Sequence, residues 1–241
     1  LMNDIKTFEI HTHLVYLELY MYKFLKDNGI EYDVITDIDL ENTLTSQLHR
    51  NYDLFIVHGH SQYWTQKCVE KVGHLARRGT NLALFGAGAF HWKAFYDENN
   101  NLISPKNNDV SLIDEENPGV GLWSNIVTSS DFLHPTYLFG NEYKPISDSV
   151  NEAYERIKEH HILKGSHSTF GDLTLNPIYT KLSSWIVDDI DDERNVIAGS
   201  NEGGKMVYNN RNSFRSFSTG TILWNSALYR EHSISDITLN V

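Results

Sequence analysis

The sequence Tyr52-Asp-Leu-Phe-Ile-Val57 is followed, after a helical pattern, by Asn81-Leu-Ala-Leu-Phe85. Both runs are short and apolar, which is typical of strands covered on both faces of a sheet. The residues between them repeat apolar side chains at helical spacing: Cys68, Val69, Val72, Leu75 and Ala76. Arg77, Arg78 and Gly79 then mark the end of that helix. The pattern predicts two parallel strands joined by a helix that covers one face of the sheet.

The preceding sequence continues this alternation of helix and strand. A helical pattern extends from about Thr12 to Asn28, with Thr12 as N-cap and Gly29 as C-terminal stop. Residues 32–36 are a short β-branched run that predicts another strand. We therefore expect 32–36, 53–57 and 81–85 to be neighbouring parallel strands of an α/β sheet flanked by helices.

The second half of the sequence has a different pattern. Residues 96–117 are rich in Asn, Asp and Glu and have almost no periodicity, so we interpret them as a loop insertion. A helix is expected from about Ser149 to His160. After Ile178, short segments separated by turn residues predict antiparallel strands, with a last helix from about Ser233. We interpret residues 1–241 as a single domain of a longer chain, because the first clear element is a helix and not a strand.

Composition excludes several classes of partner. The 241 residues are 40% hydrophobic and 22% charged, and no apolar stretch approaches the roughly 18 residues of a membrane span, so a soluble domain is expected. The 32 acidic and 20 basic residues give a net charge of −12, which argues against nucleic acid as a partner. Residues 1–10 lack the pattern of a signal peptide, and the compartment stays open.

The single cysteine, Cys68, cannot form an internal disulfide. It falls on the apolar face of the helix between the two strands, where a buried and unreactive thiol is expected. Neither a Gly-x-Ser-x-Gly motif nor a cysteine on the turn after a strand is present, which argues against covalent acyl chemistry. Gly86-Ala-Gly88 lacks the third glycine of a dinucleotide fingerprint.

Five blocks of the sequence, spread over nearly the whole chain, resemble one known family when taken in order. The blocks are Gly29-Ile-Glu-Tyr-Asp-Val-Ile-Thr-Asp-Ile-Asp-Leu40, Gly59-His-Ser-Gln-Tyr-Trp64, Gly79-Thr-Asn-Leu-Ala-Leu-Phe-Gly-Ala-Gly-Ala-Phe-His-Trp92, Gly121-Leu-Trp123, and Thr219-Gly-Thr-Ile-Leu-Trp224 followed by Ile237-Thr-Leu-Asn240. They resemble the C-terminal domain of the N,N-dimethylformamidase large subunit and its relatives. The resemblance implies a class I glutamine amidotransferase-like, flavodoxin-like fold. It also implies a mononuclear iron, held by two tyrosines and a glutamate, that activates water against a formamide.

The sequence departs from this family at residues that bear on the chemistry. The family's His-Asp-Glu-Tyr-Trp or His-Pro-Glu-Tyr block reads His60-Ser-Gln-Tyr-Trp64, so Gln62 stands where the carboxylate is usual. His91 occupies a position where relatives often have tyrosine. The segment near Trp185 aligns only loosely with the region of the ligand glutamate. The family's activity therefore does not transfer directly from the resemblance.

The ends of the second and third predicted strands carry the candidate site. His58 and His60 flank a glycine directly after a strand, and neutral imidazoles are good ligands for Zn and Fe. The resemblance adds Tyr63 and His91. We expect His58, His60, Tyr63 and His91 to converge at the carboxyl ends of the strands as metal ligands, with His60 and Tyr63 also catalytic. The alternative is that these side chains have structural hydrogen-bonding and packing roles.

Two functional hypotheses follow from these residues. The first is a hydrolase that uses Fe or Zn to cleave a small amide or another carbon–nitrogen bond. The second is a non-catalytic binding or interaction module that retains the fold. The expected partners are a small-molecule ligand, and either additional domains or a second copy of the chain. An acidic run from Asp188 to Glu193 lacks the spacing of a calcium loop and is interpreted as a solvated turn.

Overall fold

The structure is a computed structural model, and it describes residues 15–104, 121–123, 133–144, 152–172, 187–190, 193–201 and 203–241. The helices are α1 (Val15–Asp27), α2 (Asp37–Asn42), α3 (Thr45–Asn51), α4 (Gln66–Arg78), α5 (Pro135–Phe139), α6 (Trp224–Ala227) and α7 (His232–Asn240). The strands are β1 (Leu54–Gly59), β2 (Tyr63–Thr65), β3 (Asn81–Gly86), β4 (Trp92–Tyr96), β5 (Leu102–Ile103), β6 (Asn141–Lys144), β7 (Tyr154–Arg156), β8 (Thr169–Phe170), β9 (Val187–Ile190), β10 (Val196–Gly199), β11 (Lys205–Asn210) and β12 (Arg215–Ser218).

A mixed seven-stranded sheet organises the fold, in the order β1-β3-β12-β11-β10-β7-β8. β1 pairs with β3 in parallel, as predicted, and β12 joins the other side of β3, also in parallel. The β12–β11, β11–β10, β10–β7 and β7–β8 pairs are antiparallel. The prediction of antiparallel strands late in the chain is therefore confirmed for β10 to β12.

The predicted strand at 32–36 is wrong. These residues have no regular structure and pair with no strand among the described residues. Thr36, predicted as the last strand residue, is the N-cap of α2: its hydroxyl accepts from the Asp39 amide, and the Asp39 carboxylate accepts from the Thr36 amide. This capping box commits the end of the segment to a helix.

The predicted helix over 149–160 is also wrong where the structure describes it, since residues 149–151 lie outside the described ranges. Residues 154–156 form β7, and the Tyr154 hydroxyl donates a 2.9 Å hydrogen bond to the carbonyl of Thr219. β7 pairs with β10, and this backbone hydrogen bonding to a distant strand outweighs the local helical pattern.

The remaining predicted elements lie close to their predicted positions. The first helix is described over Val15–Asp27, and Gly29 follows with a φ of +69°. The predicted N-cap, Thr12, lies outside the described ranges. α4 ends at Gly79, whose left-handed conformation caps the helix. The last helix, predicted to begin at about Ser233, is α7 and begins at His232. Within the expected loop insertion, residues 102–103 pair with β4, and 105–117 lie outside the described ranges.

The sheet carries a hydrophobic core on each face. Side chains of α1, α6 and α7 pack against one face, and Met21, Phe217 and Trp224 are buried there. Side chains of α4 pack against the other face, where Val69 and Trp64 are buried. This arrangement covers the parallel strands on both sides and leaves their carboxyl ends at one edge. No helix in the described ranges has the length and apolar character needed to cross a membrane.

Candidate functional site

β1 and β3 end side by side at two glycines, Gly59 and Gly86, which are register partners. A Cβ atom added to Gly86 would lie 2.1 Å from the carbonyl oxygen of Gly59. Gly59 itself has a φ of +72°, a conformation that glycine adopts at little cost. The two glycines therefore permit a close approach of the strand ends, after which both chains turn away from the sheet.

The segments that follow the two strands also run side by side. β2 pairs with β4 in parallel, so that Tyr63 lies opposite Trp92. The Trp92 amide donates a 2.8 Å hydrogen bond to the Gln62 carbonyl, and the Phe90 amide donates to the Ser61 carbonyl at 3.3 Å. Tyr63 and His91 thus lie on adjacent chain segments. His60 immediately precedes Ser61, whose carbonyl accepts the Phe90 bond.

His58 lies on the part of β1 that faces α1 and α6. Its ring meets the Tyr22 ring edge-on, with centroids 5.1 Å apart, and its Nδ1 atom is 3.3 Å from Nδ2 of Asn225. Burial lowers the pKa of His58 to about 4, so the imidazole is neutral at neutral pH. A neutral imidazole has one nitrogen that accepts hydrogen bonds or binds a metal.

The described residues contain no group of three His, Cys, Asp or Glu side chains arranged to hold a metal ion. His58, His60 and His91 therefore do not form such a group with one another. This finding concerns His, Cys, Asp and Glu only, so it does not bear on Tyr63 as a ligand. The segment around Trp185, with which the resemblance loosely aligned the ligand glutamate, lies among residues 181–186, outside the described ranges. The metal and catalytic roles of His58, His60, Tyr63 and His91 stay predictions.

Lys93 is a buried cation beside this region, and the sequence analysis did not identify it. Only 3% of the residue is exposed, its Nζ atom lies 5.6 Å from the centroid of the Trp123 ring, and it donates to Oε1 of Gln66 at 3.3 Å. The Trp123 amide in turn donates to the carbonyl of His91 at 3.0 Å. Lysines are rarely buried to this extent. A lysine within the apolar strand sequence of β4 was the signal that could have identified it.

A cavity of about 460 Å³ opens beside β1. Its walls are formed by α1, residues 30–37, β1 and parts of α2, α3 and α4, and His58, Ser61 and Trp64 line it. None of the described residues that line it is Lys or Arg. Five are acidic: Glu18, Glu31, Asp33, Asp37 and Asp53. The sequence analysis did not predict the cavity, because it expected residues 32–36 to form a strand, whereas these residues line the cavity.

The carboxylates near His58 influence one another. Glu18 is half-buried, and desolvation followed by the charge of Asp37 raises its pKa. Asp37 stays accessible at the cavity mouth, yet reduced hydration there, together with the charge of Glu41, raises its pKa as well. Both carboxyl groups therefore retain protons to higher pH than solvated ones do, chiefly because desolvation disfavours their charged forms and secondly because a neighbouring carboxylate repels each charge.

Comparison with known families identifies the domain. The sequence matches the family described as "N,N-dimethylformamidase beta subunit-like, C-terminal" over residues 3–236. The chain belongs to this family. Membership in the dimethylformamidase-like family accounts for the order of the sequence blocks that end at Trp64 and Trp92. No curated protein matches the chain at a significant level.

Solved structures with a similar fold are distant in sequence. The cytoplasmic protein STM3548 from Salmonella typhimurium is 10% identical, with a TM-score of 0.56 over 92% of this chain and 83% of that one. The cytoplasmic protein STM1381 from Salmonella typhimurium LT2 is also 10% identical, with a TM-score of 0.55 over 90% of this chain and 82% of that one. At this identity the similarity concerns the fold alone.

Proposed function

We propose that this dimethylformamidase-like domain hydrolyses a small amide or another carbon–nitrogen bond with the help of a bound metal. The reaction site is the region after β1 and β3, where His60, Tyr63 and His91 lie on adjacent segments. The observation that carries this proposal is the parallel pairing of β2 with β4, which sets Tyr63 opposite Trp92. Neighbouring strands are about 4.8 Å apart, so side chains from the two segments can reach one point.

The donor set fits Fe or Zn by its chemistry. Imidazole is a ligand for both metals, and a tyrosine oxygen is the ligand that the family resemblance assigns to Tyr63. His60 and His91 would supply the two nitrogen donors beside the Tyr63 oxygen. A metal bound there supplies a Lewis acid that lowers the pKa of a water molecule. The role of the chain is to hold the donors, and His60 and Tyr63 would also orient that water and the substrate carbonyl.

The surroundings support binding of a small, weakly polar substrate. Trp64 is buried with its ring 4.2 Å from that of Phe90, and its indole N–H donates to the Ser61 carbonyl at 2.7 Å. This packing fixes the backbone on both sides of Gln62. Lys93 brings a positive charge to the neighbouring strand, which would favour an anionic intermediate over a neutral amide.

A second function is a non-catalytic binding module. Gln62 stands where relatives carry a carboxylate, and the described residues offer no group of three His, Cys, Asp or Glu ligands. In this case the small molecule would occupy the cavity beside His58, and the histidines would donate and accept hydrogen bonds. The class I glutamine amidotransferase-like fold and the single-domain organisation within a longer chain are further proposals that accompany both functions.

Metal content and formamide hydrolysis separate the two functions. The hydrolase predicts about one equivalent of Fe or Zn in protein purified without a histidine tag, and release of amine from small formamides. Tyr63→Phe and His91→Ala should each lower metal content and activity. The matched changes Tyr229→Phe and His74→Ala, at exposed positions that do not line the cavity, should leave both unchanged. Metal content that is unaffected by Tyr63→Phe and His91→Ala would remove both residues as ligands. Absence of both metal and activity in the parent would favour the binding module.

A further inference from the structure

The cavity beside β1 has an acidic lining without a basic side chain among the described residues that form it. Glu18 of α1 and Asp37 of α2 stand on different walls, and three more acidic residues line it: Glu31, Asp33 and Asp53. His58 adds no positive charge at neutral pH, because burial lowers its pKa to about 4. The charge of the cavity therefore favours a ligand of the opposite sign.

Glu18 is a half-buried acidic residue whose side chain makes no hydrogen bond or salt bridge in the part of the chain that the structure describes. Its Cγ and Oε1 atoms lie 3.3 Å from the position of a Cβ atom added to Gly59, which places the carboxyl group at the end of β1. Desolvation, and then the charge of Asp37, raise the pKa of Glu18. A partly desolvated carboxylate is stabilised strongly by a cation that donates hydrogen bonds to it.

Asp37, the first residue of α2, lines the same cavity. Its carboxylate also has neither a hydrogen bond nor an ion pair within the described ranges. Desolvation, and then the charge of Glu41, raise the pKa of Asp37. Lys71 lies nearby, but its ammonium group donates to the backbone carbonyls of Glu41 and Thr43, and Lys71 does not line the cavity. The repulsion between the carboxylates on the two walls is therefore not offset by a protein cation.

Aromatic rings lie beside the carboxyl group of Glu18. Tyr22 is one helical turn after Glu18 on α1, and its ring stacks on that of Tyr32, with centroids 6.1 Å apart and planes 10° apart. The Tyr32 hydroxyl donates a 3.1 Å hydrogen bond to the Tyr22 carbonyl, which supports this stack. The Tyr22 hydroxyl itself has no hydrogen-bond partner among the described residues. A phenol oxygen accepts a hydrogen bond from an ammonium group, and tyrosine rings attract cations to their faces.

The interior of the cavity is largely apolar. Buried side chains from α1 to α4 line it: Met21, Leu25, Leu40, Leu48 and Leu75. Its volume of about 460 Å³ lies within the range of small-molecule sites. β1 extends along it for roughly 16 Å, at about 3.3 Å per residue. An alkyl chain can therefore lie on these apolar side chains while a charged group at its end stays beside the carboxylates.

We propose that the cavity binds a primary alkylammonium ion, with its alkyl chain on the apolar interior and its ammonium group between Glu18 and Asp37. The N–H groups of the ammonium donate to the two carboxylates and to the hydroxyl oxygen of Tyr22. The proposal rests on the second proposed function, because it names the ligand class of the cavity, and it requires neither metal nor hydrolysis. Ser61 and Trp64 also line the cavity, so the ligand lies beside the segment that contains His60.

Titration of the full-length chain with hexylammonium, followed by NMR of the backbone amides, tests this proposal. 1-Hexanol and hexanoate have the same chain length and serve as neutral and anionic probes. At neutral pH, hexylammonium should bind roughly tenfold or more tightly than 1-hexanol, because a charge-assisted hydrogen bond is stronger than a neutral one, and hexanoate should not bind. The shifted amides should be those of cavity residues such as Tyr22, Asp37 and Ile56.

Variants separate a specific cation site from general attraction to an acidic protein. Glu18→Gln and Asp37→Asn should each weaken hexylammonium binding by roughly tenfold and leave 1-hexanol binding almost unchanged. The matched control Glu98→Gln removes one negative charge at an exposed position that does not line the cavity, and it should change the affinity by less than about twofold. Urea denaturation of each variant checks that it is folded.

Three results would overturn the proposal. Equal affinities for hexylammonium and 1-hexanol would refute the cation as ligand class, while the cavity would remain the site of the second proposed function. Absence of binding by all three probes would refute the cavity as a ligand site as well. Unchanged hexylammonium affinity in Glu18→Gln and Asp37→Asn, or an equal loss in Glu98→Gln, would show that the probe responds only to the overall charge of the chain. None of these measurements depends on metal content or hydrolysis.

Discussion

Replacing Gly86 with alanine should destabilise the protein where the candidate site is formed. The new Cβ atom would lie 2.1 Å from the Gly59 carbonyl oxygen and 3.1 Å from the Gly59 nitrogen. Neither atom can rotate away, because both belong to the backbone of a paired strand. The ends of β1 and β3 must separate by about 1 Å to restore ordinary contact, since carbon and oxygen rarely approach closer than about 3.0 Å.

The cost follows from overpacking within a rigid sheet. Such insertions cost about 1–3 kcal/mol, and the upper end applies here because the contacted atom is backbone. Separation would also disturb Thr219, whose amide donates to the Leu84 carbonyl and whose hydroxyl donates to the Gly86 carbonyl. We expect a loss of about 3 kcal/mol in the free energy of unfolding, which corresponds to roughly 6–12 °C in Tm for a chain of this length.

Urea denaturation followed by circular dichroism measures this loss. Gly29→Ala is a control for backbone strain without overpacking, because Gly29 has a positive φ, +69°, and no atom lies within 4 Å of an added Cβ, whereas Gly86 has the close contact without a positive φ. That change should cost about 1–2 kcal/mol from backbone strain alone. If Gly86→Ala unfolds within about 0.5 kcal/mol of the parent, the close approach of the strand ends is incorrect.

Three further predictions concern buried groups. Burial raises the pKa of Cys68 to about 11, so a thiol reagent at pH 8 should label the native protein far more slowly than the urea-unfolded protein; equal rates would contradict its burial. His58 has a folded pKa of about 4 against an ordinary 6.5, so only the unfolded state binds its proton between these values. The free energy of unfolding should therefore fall as pH drops from 6.5 to 4, by up to about 3 kcal/mol more in the metal-free parent than in His58→Gln. Identical pH profiles would refute that assignment. Tyr154→Phe should cost about 1–2 kcal/mol, because the buried Thr219 carbonyl loses its donor, while Tyr32→Phe, at an exposed hydroxyl, should cost less than about 0.5 kcal/mol. Similar losses for the two tyrosines would show that burial of the Tyr154 bond contributes little.

Local sequence was sufficient where the chain's own periodicity set the structure. The apolar face of α4 and its glycine stop require no information from the rest of the chain, because helix capping and amphipathic spacing act within a few residues. The apolar run after Asp53 likewise forms a strand, and the helix that follows it is long enough to return the chain for parallel pairing with β3. The family was also predicted from the sequence, since blocks in a fixed order survive even where individual residues change.

Tertiary contacts decided the elements whose local pattern was ambiguous. Residues 32–36 have the composition of a strand, but Thr36 caps α2, and the segment faces a cavity in place of a strand partner. Residues 154–156 have a helical pattern, but Tyr154 is buried and bonded to Thr219, which is distant in the sequence. Strand formation depends on a partner, so short sequences with mixed propensity follow whichever neighbour the fold supplies.

The candidate site divides in the same way. The sequence alone placed His58, His60, Tyr63 and His91 near the ends of two apolar strand sequences, although β1 continues through His58 to Gly59 and Tyr63 begins β2. Only the three-dimensional arrangement set His58 against Tyr22 and Asn225, paired β2 with β4, and buried Lys93 beside Trp123. Side-chain direction and burial depend on elements far apart in the chain, and a local pattern contains no record of those neighbours.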